Sequence, residues 1–174
     1  MTIDNHIWES MPHTVISVPA KTTLLEAGQI SKRLFFIRSG VVRMWFNQDG
    51  KEITLQFFLE NKPVCSFDSF INGKPSEFTI ETIEPSELLV YKKSDVMAFG
   101  DAHPDMKMKA YEFIQERMSN YIRLFLSRIK DSPEKRYENL IAEHPEIVAR
   151  IPQHYIASYL GITPVSLSRI RSRK

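Results

Sequence analysis

The residues best suited to chemistry lie at the end of the chain, where three arginines and a lysine occupy the last six positions. Guanidinium and ammonium groups are the side chains that attract phosphate. The residues before them predict two short helices joined by a tight turn. Pro152 suits the first helical position, Gly161 can end that helix, and Thr163 with Pro164 can begin the next. This pattern predicts a helix-turn-helix, whose second helix enters the major groove of DNA.

The predicted second helix has an inward and an outward face. Leu167 and Ile170 share the inward face, and the small Ala157 lets the two helices cross closely. The candidate DNA-binding residues are Thr163, Val165, Ser166, Arg169, Arg171, Arg173 and Lys174. A helical hairpin with a basic, solvated tail is the alternative interpretation, because short motifs also occur by chance.

Composition limits the class of protein. The chain has 174 residues, of which 43% are hydrophobic, so it can bury a core and is not expected to be disordered. Cys65 is the only cysteine, which excludes an internal disulfide and fits a reducing cytoplasm. The sequence has no apolar run of membrane-spanning length and no N-terminal signal region, so we expect a cytoplasmic protein.

Charge is divided unevenly along the chain. Residues 1–103 hold 10 Lys and Arg against 13 Asp and Glu, a net charge of −3. Residues 104–174 hold 13 against 8, a net charge of +5. This asymmetry indicates that a polyanionic partner binds the second part of the chain.

Residues 14–92 have the texture of short β segments separated by turns. Asp49-Gly50 is a strong hairpin signal, and Ser39-Gly40 separates two further strands. The predicted strands are Thr14–Val18, Thr23–Glu26, Arg33–Arg38, Val41–Asn47, Glu52–Leu59, Glu77–Ile83 and Glu87–Lys92. Short strands with this punctuation predict a sandwich or a barrel, preceded here by a short helix over residues 5–11.

The pattern becomes helical after the β segments. Ser94 is predicted to cap a short helix that runs through Phe99 and closes at Gly100. Pro104 is predicted to open a long helix that runs to about Lys130. The remaining predictions are a helix over Pro133–Glu143, a turn at His144-Pro145 and a lead-in over Glu146–Arg150.

Apolar residues repeat along the long helix at alternating steps of three and four, as in the a/d seam of a coiled coil. They are Tyr111, Ile114, Met118, Tyr121 and Phe125, with a second stripe of Ile122, Leu126 and Ile129 beside them. One stripe can pack on the β domain and the other on a second copy, which predicts a homodimer through residues 104–131. The alternative is one wide apolar face buried inside a monomer.

Two runs of residues resemble signatures of a known family. Leu34 to Arg43 (LFFIRSGVVR) is similar to the strand-Gly-strand signature of the Crp/Fnr family of bacterial transcription regulators. Ile156 to Thr163 (IASYLGIT), together with Leu167 to Ile170 (LSRI), resembles the helix-turn-helix of the same family. The resemblance implies an α+β fold with an N-terminal β-roll (a double-stranded β-helix like those that bind cyclic nucleotides), a long dimerisation helix and a C-terminal helix-turn-helix.

The resemblance also implies domains and partners. It divides the chain into a β-roll sensor domain over residues 1–103, a dimerisation helix over residues 104–131 and a helix-turn-helix DNA-binding domain over residues 132–174. The family's β-wing is expected to be absent, because the chain stops at Lys174. The implied partners are double-stranded DNA and a second copy of the chain, and RNA polymerase is a further candidate.

By resemblance alone the effector would be a cyclic nucleotide. The family's Gly-Glu pair for the ribose becomes Ser66-Phe67, and its phosphate-binding arginine is missing from Pro75 to Phe78. Phe67 cannot accept a ribose hydroxyl, and Glu77 would repel a phosphate. We therefore predict no cofactor and no cyclic AMP bound in the usual mode. The candidate effector-pocket residues are Phe67, Asp68, Ser69, Ser76 and Glu77, with a plain polar loop as the alternative.

The family's base-reading positions fall on Pro164, which has no hydrogen-bond donor, and Val165, which can offer only apolar contact. Arg169 matches the family's groove-facing arginine and can pair with a guanine or a phosphate. Arg171, Arg173 and Lys174 suit phosphate. We therefore expect salt-sensitive DNA binding with modest sequence specificity.

The alternative functions are a metalloenzyme, a redox sensor and a scaffold that does not bind DNA. A cupin-like metalloenzyme needs histidines inside the barrel, and no histidine lies within residues 14–102, so we predict neither a metal site nor an enzyme. Redox-sensing relatives use a cysteine cluster, so Cys65 is predicted to be a buried small hydrophobe. A dimeric ligand- or protein-binding scaffold with a degenerate DNA-binding domain stays as the alternative function.

Overall fold

The computed structural model describes residues 5–173. The chain forms two compact units. The first unit comprises the chain up to Met44 together with Phe57–Arg117, and the second comprises Trp45–Gln56 together with the chain from Met118 onward.

Two four-stranded sheets hold the β segments. The strands are β1 Thr14–Val18, β2 Thr23–Leu25, β3 Arg33–Ser39, β4 Val42–Gln48, β5 Lys51–Phe58, β6 Pro63–Val64, β7 Thr79–Thr82 and β8 Ser86–Lys92. Their orders are β1-β8-β3-β6 and β2-β7-β4-β5, with β1 and β3 both antiparallel to β8. Every predicted strand is present, and the predicted α+β fold with an N-terminal β-roll is confirmed.

Gly40 lies between β3 and β4, at a position that only glycine can occupy. Its φ of 103° lies in a region that side chains with a Cβ rarely adopt. A Cβ at this position would also lie 2.1 Å from Oγ of Ser86. The Gly40 N–H donates to Oε1 of Glu60 at 3.0 Å, which satisfies the turn. Both conformation and space therefore require glycine here.

The predicted N-terminal helix is present as α1, Asn5–Ser10. Trp8 stacks on Phe36 with ring centroids 4.9 Å apart, and Oη of Tyr91 donates to the Trp8 carbonyl at 2.7 Å. Leu89 and Met11 complete this buried cluster. Burial raises the pKa of the Tyr91 hydroxyl, which is therefore a neutral donor at ordinary pH.

Seven further helices follow in the described chain. They are α2 Phe67–Asn72, α3 Lys93–Ala102, α4 Pro104–Lys130, α5 Pro133–Glu143, α6 Pro145–Arg150, α7 Gln153–Leu160 and α8 Pro164–Ser172. The predictions for α4 and α5 are confirmed at both ends. Ser132 is the N-cap of α5, and its Oγ accepts from the N–H of Lys135 at 3.2 Å.

The prediction for α3 was wrong at both ends. The N-cap is Lys92 rather than Ser94, whose Oγ instead donates to Oδ1 of Asp95 at 3.0 Å. Gly100 lies inside the helix and does not end it. The helix stops because Pro104 disfavours helical backbone at the preceding His103, which has φ −129° and ψ 82°.

Other differences are smaller. The sequence predicted neither β6 nor α2. Ser66 is the N-cap of α2, but its side chain makes no capping hydrogen bond. The lead-in before α7 is a helix of its own, α6. Pro152 is the N-cap of α7 rather than its first residue. Within residues 5–173, no helix has both the length and the apolar character to cross a bilayer.

Candidate nucleic-acid interface

The turn between α7 and α8 has the predicted geometry. Gly161 adopts φ 70° and ψ 34°, and its N–H donates to the Ser158 carbonyl at 3.0 Å. The N–H of Ile162 donates to the Ala157 carbonyl at 3.0 Å. Thr163 is the N-cap of α8, with its Oγ1 accepting from the N–H of Ser166 at 3.1 Å. These bonds fix the direction in which α8 leaves the turn.

The inward faces of α7 and α8 form the predicted core. Leu167 and Ile170 on α8 are buried, as are Ile156, Ala157 and Leu160 on α7. Ala157 has no exposed surface, so the helices approach closely at this point. The packing fixes which side of α8 faces outward.

Most of the candidate DNA-binding residues are exposed. The exposed members are Thr163, Val165, Arg169, Arg171 and Arg173. Ser166 is half-buried, with its Oγ 3.0 Å from Oγ1 of Thr163. Lys174 lies outside the described residues. The exposed arginines form no ion pair with any other described residue, so their charges face solvent.

Two arginines missed by the sequence analysis position α7. Nη2 of Arg128, on α4, donates to the Tyr159 carbonyl at 2.7 Å. Nε and Nη2 of Arg136, on α5, donate to the Leu160 carbonyl at 3.2 and 2.9 Å. Cations stabilise the C-terminal end of a helix because they meet its unpaired carbonyls and the negative end of its dipole. No local pattern reveals these contacts, since the partners are 24 to 31 residues apart in sequence.

A serine on α7 also binds a strand of the same unit. Oγ of Ser158 donates to the Glu52 carbonyl at 2.8 Å and accepts from the N–H of Thr54 at 2.9 Å. Glu52 and Thr54 belong to β5, which is the last strand of its sheet. The hydroxyl therefore satisfies backbone groups at the sheet edge. The sequence analysis missed this contact, which spans more than 100 residues.

α4 exposes a long apolar stripe that differs in part from the predicted seam. None of the helix's residues is buried within the described chain. The most exposed apolar residues, between 53% and 68%, are Met108, Tyr111, Met118, Ile122, Phe125 and Ile129. With Gln115 between Tyr111 and Met118, they repeat at steps of three and four. Ile114 and Tyr121, which the prediction placed in the seam, are half-buried instead.

The candidate effector-pocket residues fall into two groups. Ser69 and Ser76 are buried and already hydrogen-bonded: Oγ of Ser69 accepts from the N–H of Ser31 at 2.8 Å, and Oγ of Ser76 lies 2.9 Å from Oγ of Ser66. The other members are Phe67, Asp68 and Glu77, which are exposed. Phe67, Asp68 and Ser69 lie in α2 itself, and Ser76 and Glu77 follow it. A polar loop was the alternative prediction for this region.

The roll also contains a buried arginine that the sequence analysis did not single out. Nε and Nη2 of Arg43, on β4, lie 2.7 and 2.6 Å from Oε1 of Glu81 on the neighbouring β7. The Arg43 side chain is 2% exposed and that of Glu81 is 13% exposed. A buried charge needs such a partner. The positive charge of Arg43 is therefore matched within the roll.

Cys65 is half-buried as a residue, and its thiol is desolvated. Desolvation raises the pKa of the thiol to about 12, although Arg117 opposes the shift. The thiol is therefore protonated at neutral pH and is a poor nucleophile. The prediction was a buried small hydrophobe, whereas the residue as a whole is half-buried and only its thiol is desolvated.

The described histidines make local contacts. Nδ1 of His13 lies 2.8 Å from the Met11 carbonyl, and His103 stacks on Phe99 at 4.2 Å between centroids. His154 packs against the ring of Tyr155 at 3.9 Å. Across residues 5–173, no group of three or more His, Cys, Asp or Glu side chains is placed to hold a metal ion.

Comparisons with solved structures identify the fold. FixK2 from Bradyrhizobium japonicum is 16% identical, with a TM-score of 0.82 over 94% of this chain and 84% of that one. A CooA mutant from Carboxydothermus hydrogenoformans is 14% identical, with a TM-score of 0.74 over 97% and 78%. The c-di-GMP responsive global regulator CLP of Xanthomonas campestris is 15% identical, with a TM-score of 0.72 over 97% and 88%.

These likenesses confirm the Crp/Fnr resemblance at the level of the fold. No curated protein sequence matches the chain. A sequence model described as the cyclic nucleotide-binding domain matches residues 15–103, which is half of the chain and contains every strand but the first residue of β1. The chain therefore belongs to the cyclic nucleotide-binding domain family.

Proposed function

We propose that the chain is a DNA-binding transcription regulator of the Crp/Fnr type, acting as a homodimer in the cytoplasm and without catalytic activity. One observation carries the proposal. Packing of Leu167 and Ile170 fixes the inner side of α8 and leaves Arg169, Arg171 and Arg173 exposed and unpaired within the described chain. Exposed cations grouped at the C-terminal end of α8 suit a duplex groove lined by phosphates.

Each candidate DNA-binding residue has a proposed role. Arg169 is long enough to reach a base edge or a phosphate, whereas Arg171 and Arg173 bind phosphates. Thr163 and Ser166 stand at the N-terminus of α8, where backbone N–H groups and the helix dipole favour phosphate. Val165 offers apolar contact, for example to a thymine methyl. Lys174 is assigned to phosphate on its charge alone.

The exposed stripe of α4 supports the homodimer. Six large apolar side chains that each expose more than half of their surface are unfavourable in water, and their heptad spacing suits a second α4 packed alongside. The pair of helices then presents α8 twice, for half-sites about one DNA turn apart. The three functional divisions proposed are residues 1–103, 104–131 and 132–174. RNA polymerase is the proposed further partner.

The β-roll is proposed to sense an effector other than cyclic AMP in the usual mode. Arg43 is engaged with Glu81, and none of the candidate pocket residues is a cation that could bind a phosphate. The hydroxyls of Ser69 and Ser76 already hold hydrogen-bond partners. Phe67, Asp68 and Glu77 are the exposed groups through which an effector would act. An effector that favours one arrangement of the α4 pair would shift DNA affinity.

One observation favours the scaffold as a second candidate function. Val165 is 61% exposed in the first turn of α8, and the hydroxyl of Ser166 is engaged by Thr163, so base reading rests largely on Arg169. A protein partner would use the same exposed valine without needing base contacts.

A salt titration separates the two functions. The full chain is mixed with a random duplex pool, and affinity is measured by fluorescence anisotropy as salt increases. The regulator predicts that log K falls linearly with log salt, by roughly 0.9 for every phosphate neutralised. Arg173→Gln should reduce that slope by about 1, whereas Lys135→Gln on α5 should leave it unchanged. Absence of binding at low salt, or a flat profile, would favour the scaffold.

A further inference from the structure

A shallow depression of about 530 Å³ lies on the first unit, and none of the roles described so far uses it. It is lined by Lys32, Arg33, Lys92, Lys93, Ser94 and Met97. Four of the six lining residues are cations, and none is an acid. We name this surface the basic depression.

The fold forces these cations together. The β3–β8 register places Arg33 directly opposite Lys92. The N–H of Lys93 donates to the Lys32 carbonyl at 3.0 Å, which brings the next pair alongside. Like charges opposite each other on an antiparallel pair destabilise it. The free protein therefore carries a repulsive cluster at this point.

Several other cations of the unit are paired with carboxylates. Arg38 bonds to Glu9 and Glu87 at 2.9 and 3.3 Å, and Lys107 lies 3.1 Å from Asp101. The unit is rich in carboxylates, with 14 Asp and Glu against 12 Lys and Arg.

Within residues 5–173, none of the four cations of the basic depression has an ion-pair partner. Nζ of Lys93 donates instead to the Ile71 carbonyl at 3.1 Å and lies 5.8 Å from the ring centroid of Phe70. The four cations repel one another, and no described carboxylate of the unit neutralises them. This indicates that an anionic ligand from another molecule neutralises them.

We propose that the basic depression binds an acidic segment of a partner protein. Carboxylates of that segment would pair with the four cations, and its apolar side chains would contact Met97 and Ile71, which are 39% and 42% exposed. The depression is too open to enclose a small molecule. A nucleic acid fits less well, because the unit's net charge of −2 repels a dense polyanion while four clustered cations still match a few carboxylates.

The binding test uses a fluorescein-labelled peptide of alternating glutamate and leucine, with a glutamine–leucine peptide as control. Anisotropy with the full chain should show binding of the acidic peptide only, weakening with salt. Arg33→Gln combined with Lys92→Gln should weaken it about tenfold, since two charge pairs of roughly 0.7 kcal/mol each are lost. Lys21→Gln combined with Lys62→Gln, exposed cations of the same unit outside the depression, should leave it unchanged.

A stability measurement accompanies the test. The Arg33→Gln and Lys92→Gln double variant should unfold at the same or a higher temperature than the parent at low salt, because it removes a repulsive pair. Should that variant fail to fold, Lys32→Gln combined with Lys93→Gln takes its place.

Equal binding of both peptides, or unchanged affinity in the folded variant, would overturn the proposal. So would an equal loss of duplex binding, which would assign the surface to nucleic acid. Arg169→Gln should not alter peptide binding, so this test and that of the regulator fail independently.

Discussion

α4 and α8 each leave one face exposed, and the two faces differ in chemistry. The face of α4 is apolar, with Ile122 and Phe125 more than half exposed, whereas that of α8 is cationic. An apolar stripe gains free energy when it meets another apolar surface, and a cationic face does so when it meets phosphate. We therefore expect the two exposed faces to have different partners, and we expect a substitution to disrupt either face without unfolding the other.

The largest expected effect is on the apolar face. Ile122→Asp places a charge in the proposed helix pair, where burial without a partner costs several kcal/mol. The chain should become monomeric in sedimentation velocity. Affinity for a two-half-site duplex should fall on the order of a hundredfold, because the second contact is no longer tethered. Ser119→Asp, exposed on the same helix but off the stripe, is the control. A dimeric Ile122→Asp protein would contradict the α4 interface.

The cationic face should respond differently. Arg169→Gln is expected to cost about 1–3 kcal/mol of duplex binding and to relax the preference at one base pair, because a charged donor to DNA is lost. The oligomeric state and the thermal midpoint should stay unchanged. Ser168→Gln on the same helix controls for the introduced side chain. If Arg169→Gln binds every duplex as the parent does, α8 is not the reading element.

A third variant tests the contact between Arg136 and the C-terminal end of α7, the helix that packs against α8. Arg136→Ala removes the donors to the Leu160 carbonyl and should lower the free energy of unfolding by about 1–2 kcal/mol. Its effect on DNA binding should be smaller than that of Arg169→Gln, since no phosphate contact is lost. Lys135→Ala is the neighbouring control in chemical denaturation. Unchanged stability in Arg136→Ala would mean that the end of α7 is held by other contacts.

The smallest effect is expected within the apolar stripe itself. Gln115 is its one polar position, and a polar residue in a seam lowers stability while fixing register. Gln115→Leu should tighten the dimer by about 1 kcal/mol, seen as a several-fold lower dissociation constant. Gln115→Asn should remain close to the parent. A weaker dimer in Gln115→Leu would show that the amide contributes favourably to the pair.

Local chemistry made much of this fold predictable. Proline with a preceding cap residue fixed the starts of α5 and α8, and Asp49-Gly50 marked the β4–β5 hairpin. α2 escaped prediction because it is one short element whose cap makes no side-chain hydrogen bond.

Long-range contacts were beyond sequence reasoning. The seam was misplaced in part because residues 111–129 carry two apolar stripes with the same spacing, and only burial shows that Ile114 and Tyr121 face inward. Arg128, Arg136 and Ser158 act on partners distant in sequence, so no spacing rule reveals them. For the candidate site, sequence supplied the exposed arginines of α8 but not the residues that hold α7.

The hydroxyl of Ser158 has a consequence for how the protein behaves at high concentration. A terminal strand normally offers its backbone to any passing chain, and stacking of such strands leads to aggregates. Here one hydroxyl occupies the Glu52 carbonyl and the Thr54 N–H, which an incoming strand could otherwise use. Two backbone groups of this terminal strand are thereby withheld from pairing with another chain.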